Sequence, residues 1–315
     1  MATSSSTDFS ITRNDILLGA LRKTTILPGR ATAMPADMQA NAATLLNLMI
    51  KEWMADGFNL WAVGYLTVWT VASQRVYNIS SSTTDHATRD YVKTEMRVAG
   101  ATSDTTLELD STTGITASDN IGILLDSGAM HWDTVASVTD SDTLELTTGL
   151  ASAASVDKNV YAYTTKAERP MRILLARRKN PDGVDIPIDM LSRERYDDLA
   201  NKISEGVVIE AYYDRQRDQG DLYMYLTPND GKDRIELTVQ RPLEDFDTAT
   251  DNPDFPIEWG NALIYGLAVE LAIDYGVSDT ILSRVLGRAN AAKDRVMEFD
   301  VDDTSITIQP DDEAL

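Results

Sequence analysis

Two histidines, His86 and His131, are all that this 315-residue chain offers for imidazole chemistry, and it has no cysteine. That inventory excludes disulfides, cysteine-ligated zinc and thiol nucleophiles, and it is too small for most zinc sites. His86 lies in a polar stretch and His131 stands beside Trp132, so both are expected to be surface or packing residues. No Gly-x-Ser-x-Gly elbow, phosphate-binding loop or His-Glu-x-x-His run occurs. Asp300, Asp302 and Thr304 begin like a calcium loop, but the sixth position is Ser305 instead of glycine and the twelfth is Asp311 instead of glutamate. Among 50 acids some pair always stands at a glycosidase-like separation, so a carboxylate pair identifies nothing. The expectation is a chain without catalytic residues, metal or cofactor.

Charge says more. The 50 acids against 28 bases leave −22, which repels phosphate unless the bases are gathered on one face, so sequence-specific DNA reading is disfavoured. Bases do gather at Arg177-Arg-Lys179 and at Arg13, Arg22, Lys23 and Arg30. Either group has the chemistry to touch phosphate. Asp182, Asp185 and Asp189 follow the first group at once, which favours a solvated face or salt bridges. The last residues, 300–315, hold six acids, no base and a strand-like Ser305-Ile-Thr-Ile-Gln309. The backbone groups of that strand are unpaired unless it docks on its own body or on another chain, and a frayed end stands equal to strand addition.

The elements that carry these residues follow from periodicity. Thr12 and Asp15 resemble a capping box for a helix over 12–23, and Pro35 opens a second helix striped by Met38, Ala42, Leu45, Leu46, Met49 and Trp53, which Gly57 stops. Near alternation from Leu60 to Ile79 reads as two short strands. From 99 to 166 Ser, Thr and Asp dominate, with ten acids against two lysines, and Thr106-Leu-Glu-Leu109 recurs as Thr143-Leu-Glu-Leu146. This stretch is expected to be an inserted β-barrel or sandwich. Beyond it come a strand over 171–176, a turn at Pro187 and a helix capped by Ser192 through about Ile203. Strands at 207–213, 222–226 and 234–240 follow, joined as an antiparallel meander by Asp-Gly turn signals. Two helices close the pattern. Trp259, Leu263, Leu267 and Leu271 line the first, which Gly276 ends, and the second starts at Ser278 or Asp279. The fold class is α+β: 1–98 and 167–299 form a core, 99–166 an inserted β-rich domain, and 300–315 an extended tail. The longest apolar run, Phe58 to Ala72, has 15 residues and is too short to span a bilayer as a helix. The N-terminus has no basic or apolar leader, so the chain is expected to stay where it is made, without a membrane.

Taken together, the two helical ends resemble a known family. Asp15-Ile-Leu-Leu-Gly-Ala-Leu-Arg-Lys23 with Leu45-Leu-Asn-Leu-Met-Ile-Lys-Glu-Trp-Met-Ala-Asp-Gly57, and Phe255-Pro-Ile-Glu-Trp259 with Leu267-Ala-Val-Glu-Leu-Ala-Ile-Asp-Tyr-Gly276, are similar to head-to-tail adaptor proteins of short-tailed bacteriophages. These are also called tail accessory, head-completion or packaged-DNA-stabilisation proteins. The resemblance covers roughly 15–57 and 255–299 and implies a structural virion protein of the neck, made in the host cytoplasm. It would form a twelve-subunit homo-oligomeric ring between the portal protein and the downstream nozzle or tail-fibre proteins. Packaged double-stranded DNA would pass through the lumen without sequence-specific contact, and an acidic wall suits that passage. The resemblance implies portal binding by Thr304, Ser305, Ile306, Thr307, Ile308, Gln309 and Pro310. Core or subunit packing is expected of Leu46, Met49, Trp53, Trp259, Leu263, Leu267 and Leu271. It says nothing of the insert. The rival readings are a virion-associated peptidoglycan hydrolase using paired carboxylates and a host- or carbohydrate-binding module carried by the insert.

Overall fold

Chain ends and chain middle fold as separate compact units, the described residues of Met1–Ala62 with Leu243–Leu315 in one and Val63–Pro242 in the other. The computed structural model describes residues 9–56 and 60–299. Among them are five helices and two larger sheets, an α+β protein.

The end unit is helical: α1 Arg13–Lys23, α2 Ala36–Asp56, α4 Gly260–Asp274 and α5 Asp279–Phe299, with α3 placed in the other unit. The capping box at α1 is complete, because Thr12 Oγ1 accepts from the Asp15 amide while Asp15 accepts from the Thr12 amide. Two further amides at this helix start, those of Arg13 and Asn14, donate to the carbonyls of Asp251 and Ala249. The most apolar helix, α4, is the hub and packs on α1, α2 and α5. Gly276, at φ +60°, ends α4 as only a glycine does without strain, and the Val277 amide returns to the Ala272 carbonyl.

The middle unit holds α3 Arg193–Asp197 and sixteen strands. Eight of them form a mixed, nearly closed, barrel-like sheet: β1 Val63–Trp69, β2 Val76–Ile79, β3 Ala87–Thr88, β10 Arg172–Lys179, β11 Asp185–Leu191, β13 Glu210–Arg215, β14 Gly220–Tyr225 and β16 Arg234–Gln240. Their order is β2-β14-β13-β11-β10-β16-β1-β3. Leu66, Val68, Ile235, Leu237 and Val239 alternate inward from the full-length β1/β16 pairing, and Leu222, Met224 and Ala211 join them in one core. A smaller parallel pair, β12 Glu205–Gly206 and β15 Thr227–Pro228, lies apart from this sheet. The remaining six, β4 Val92–Glu95, β5 Thr106–Glu108, β6 Asn120–Leu124, β7 Met130–Val138, β8 Thr143–Leu146 and β9 Asn159–Tyr163, make an antiparallel half-barrel in the order β4-β9-β6-β7-β8-β5. Its two edge strands meet at a bridge between Met96 and Leu109. The half-barrel has its own aliphatic core of Leu107, Leu109, Ile121, Ile123, Leu144, Val160 and neighbours.

The repeated Thr-Leu-Glu-Leu segments turn out to be partners, since β5 pairs antiparallel with β8 so that Leu107 faces Leu144, both buried. The chain enters the half-barrel on β4 and leaves it on β9, which lie side by side. Because β4 lacks the Ser/Thr/Asp bias of its neighbours, the composition break at 99 falls after the first strand.

Three expectations need correction. The meander is broken: β13 and β14 form a hairpin, but β16 pairs with β1 and β10, while β2 takes the other edge of β14. The Asp230-Gly231 segment makes no two-residue turn, because the Gly231 amide donates to Gly128 O, and the Thr70 amide and hydroxyl donate to Asp233 O. These bonds carry the chain past β14 to the far side of the sheet. Pro187 lies within β11, opposite Arg177. There β11 pairs only with β10, its pairing with β13 starting at Asp189, so the missing N–H costs no ladder bond. The helix capped by Ser192 ends at Asp197, well before Ile203.

Candidate interaction surfaces

In the helical unit the stripe of α2 places Leu46 and Ile50 fully inside and Met49 almost so, while Trp53 keeps surface. Leu263, Leu267 and Leu271 of α4 are fully buried and Trp259 nearly so. Six of the seven packing residues therefore pack the core of the chain itself, and only Trp53 has area left for a neighbour. Its ring meets Trp259 at 5.9 Å and Phe255 edge-on at 6.5 Å, and Trp61 closes the cluster 4.9 Å from Trp259. The Lys293 ammonium sits 5.2 Å above the Trp53 ring. Between α2 and α5, over Gly266 of α4, lies an open groove of about 210 Å³. Met49, Trp53, Leu286 and Ala289 form its apolar walls, and Glu52, Glu270 and Lys293 its polar rim.

One organising residue of this unit escaped the sequence reading. Asn47 accepts from the Phe246 amide at 3.1 Å and donates to the Phe246 carbonyl at 3.2 Å, tying the segment before α4 to α2. A lone Asn inside an apolar helical stripe was the available signal. Beside it, Lys51 pairs with Asp245 at 2.6 Å, both half exposed.

In the middle unit a seam of rings joins the two large sheets. Trp69 of β1 touches Trp132 at 5.1 Å, Tyr91 at 5.4 Å, and Tyr161 and Tyr163 at 5.7 Å each. The His86 ring stacks flat on Trp132 at 3.8 Å and shares a 2.6 Å hydrogen bond with the Tyr163 hydroxyl. Burial, with the Lys166 ammonium nearby, pushes the His86 imidazole down to about 3, so it is neutral at physiological pH. Burial likewise raises the Tyr161 and Tyr163 phenols, so they stay protonated. At the foot of the seam Arg234 is buried, with Nη1 donating to Tyr161 Oη at 2.9 Å and Nε 3.6 Å from Glu236 Oε1. Nothing in the sequence singled out Arg234, which opens an ordinary alternating strand.

The other nominated residues fall as follows. Arg178 pairs with Asp233 at 2.8 Å, Lys179 with Glu236 at 3.2 Å, and Arg177 covers the Tyr65 ring at 5.6 Å. Near the N-terminus, Arg13 and Arg22 donate to the carbonyls of Asp247 and Ala31, and Lys23 lies over Tyr265. His131 is half-buried on β7, and burial lowers its imidazole. Thr304 through Pro310, and the segment beginning at Asp300, lie outside the described residues. Among the described residues no group of three or more His, Asp or Glu is placed to hold a metal ion, and no helix is long and apolar enough to cross a membrane.

No protein-family model matches the chain, and no curated protein does. Among solved structures it is similar to VP17, a capsid protein of bacteriophage P23-77, at 10% identity over 61% of this chain and 77% of that one, with a TM-score of 0.12, too low to carry an argument.

Proposed function

We propose that the chain is a structural virion protein, the head-to-tail adaptor that forms a ring between portal and tail, extends the DNA channel and retains packaged DNA. The observation that supports this reading best is the joining of the two chain ends. The segments that carry the family resemblance are about two hundred residues apart, and they pack into one helical unit around α4. In this reading the helical unit is the adaptor core, the half-barrel is an inserted domain with a peripheral role, and Thr304 to Pro310 clasp the portal. The ring holds twelve copies to match the portal, its far side receives nozzle or tail-fibre proteins, and DNA slides through without sequence-specific contact. The net charge of −22 suits a conduit, since an acidic lumen repels phosphate and keeps the duplex from sticking. No step of this function needs catalysis, a cofactor or a membrane.

Mixing the purified protein with portal rings tests the reading by sedimentation and native mass spectrometry. Closed assemblies are expected on the portal, because a heterologous contact is satisfied at every copy only when the ring closes. Truncation after Asp303 should leave the melting temperature unchanged and strongly weaken attachment. A full-length protein that stays monomeric and never sediments with portal overturns the proposal.

A further inference from the structure

Outward positions of the eight-stranded sheet are covered in two places, where Tyr212 packs with Tyr196 of α3 and where Trp69 and Arg234 lie in the ring seam. A third stretch is bare. On β10 the register sets Arg172, Leu175 and Arg177 opposite Gln240, Thr238 and Glu236, away from the core that Ala176, Leu237 and Val239 enter. A bulge between Ile173 and Leu175 brings Leu174 to the surface as well, and Tyr65 flanks Thr238 from β1. Tyr65 and Leu175 are 64% and 63% exposed. An antiparallel sheet turned to water ordinarily carries polar side chains at such positions, and large apolar ones gathered there mark a contact surface.

Bases flank this strip. Among the described residues neither Arg172 nor Arg177 makes an ion pair. Arg177 has only the Tyr65 ring, its Nε is buried without an acceptor, and Glu236 opposite it is taken by Lys179 and Arg234. The segment before β13 has the reverse character. Glu205-Gly-Val-Val-Ile-Glu210 buries Val208 but leaves Val207 and Ile209 42% and 52% exposed, with a carboxylate at either end. In both surfaces two charges five positions apart bracket two exposed apolar side chains. Because β11 stands between β10 and β13, the two surfaces of one chain do not meet.

We propose that copies of this chain associate through the middle unit, with segment 205–210 of one copy lying on strip 172–177 of the next. Val207 and Ile209 then cover Tyr65, Leu174 and Leu175, and the carboxylates reach the arginines. Charge selects this pairing: strip on strip would oppose arginines and segment on segment would oppose carboxylates, so only the mixed contact attracts. The two surfaces differ, so the contact is head-to-tail, the kind that closes into a ring or runs on as a filament. Nothing in it involves the portal, and it holds or fails independently of the adaptor reading.

Sedimentation velocity of the full chain over a concentration series at low salt reads the association. R172E/R177E and E205R/E210R are each expected to weaken it about a hundredfold or more, since like charges then face each other. An equimolar mixture of the two variants should associate as the natural protein does, because each reversed strip meets a reversed segment. A general loss of structure would not be repaired by mixing, and thermal melting followed by circular dichroism shows whether each variant is folded. Should a double variant misfold, Leu175→Asp and Val207→Asp probe the same contact from exposed positions, and each is expected to abolish association. A natural chain that stays monomeric throughout overturns the proposal. So does association that survives either reversal, or a mixture of folded variants that fails to associate.

Discussion

Each unit has its own tryptophan cluster, and the two are built on different principles. In the helical unit Trp53, Trp61, Phe255 and Trp259 meet through ring faces and edges, with Lys293 above a Trp53 that is only half-buried. In the middle unit Trp69, Trp132, Tyr161 and Tyr163 are tied to His86 and a buried Arg234 by hydrogen bonds and a stack. An apolar cluster at a surface tolerates rearrangement, and its open groove leaves room for a partner. A cluster that ties His86 to Tyr163 and a buried guanidinium to Tyr161 favours one register between two sheets, because a slip breaks both bonds out of water, even though the indole N–H groups of Trp69 and Trp132 make no hydrogen bond there. One is suited to contact and the other to locking.

The sharpest way to break the comparison is to remove the cation from each. Arg234→Ala leaves the buried Tyr161 hydroxyl without its donor, while Glu236 keeps Lys179 at 3.2 Å, and is expected to cost ~1–3 kcal/mol. Lys293→Ala, losing a cation over a partly exposed ring, should cost no more than about 1 kcal/mol. Urea unfolding followed by tryptophan fluorescence reads both. Equal losses would mean that the seam is no more specified than the helical cluster.

A smaller, pH-dependent effect belongs to the seam alone. The folded His86 value of about 3 lies below its ordinary 6.5, so the unfolded chain binds the extra proton between those limits. The contribution of His86 is therefore fully present above about pH 6.5 and is lost as pH falls towards 3. Its slope is at most ~1.4 kcal/mol per pH unit. Carboxylates titrate in the same window, so the measurement is the difference between the natural protein and His86→Gln. Their stability curves should converge as pH falls from 6.5 to 4. Parallel curves would show that His86 protonates without leaving the Trp132 stack.

How far the sequence reading reached follows from where each interaction lies along the chain. The capping box at Thr12, the α2 stripe and the glycine stop at Gly276 depend on residues within a turn or two of one another, and periodicity exposes them. The β16 strand is equally visible as an alternating run, but its partners are set by β1, some 170 residues earlier, and by a bond between Gly231 and Gly128. Local turn residues carried no trace of either, so the hairpin signal misled. The seam was hidden for the same reason: Trp69 and Trp132 each read as ordinary packing residues, and only the tertiary fold brings them within 5.1 Å. Of the nominated interface residues, the core leucines were legible as buried, whereas the distinction of Trp53 as the one with free area depends on the open groove that α2 and α5 line over α4.

The smallest predicted effect sharpens the reading of the helical groove as an open surface with a tight floor. Gly287 on α5 has open space where a Cβ would stand, so Gly287→Ala should stabilise by ~0.5–1 kcal/mol through helix propensity and lost unfolded-state freedom. Gly266 on α4 has the same propensity to gain, but its Cβ would stand 2.9 Å from Met49 Sδ and 2.9 Å from Trp53 Cζ2. Overpacking of that kind costs ~1–3 kcal/mol, and the flexible Met49 side chain keeps it near the lower end, so Gly266→Ala should be neutral to slightly destabilising. Truncating the neighbour in Gly266→Ala/Met49→Ala should then show a favourable coupling in a double-mutant cycle, since the added methyl occupies part of the space vacated. If Gly266→Ala instead stabilises as much as Gly287→Ala, α2 and α4 are not in close contact at this point, and the groove is wider and more compliant than its walls suggest.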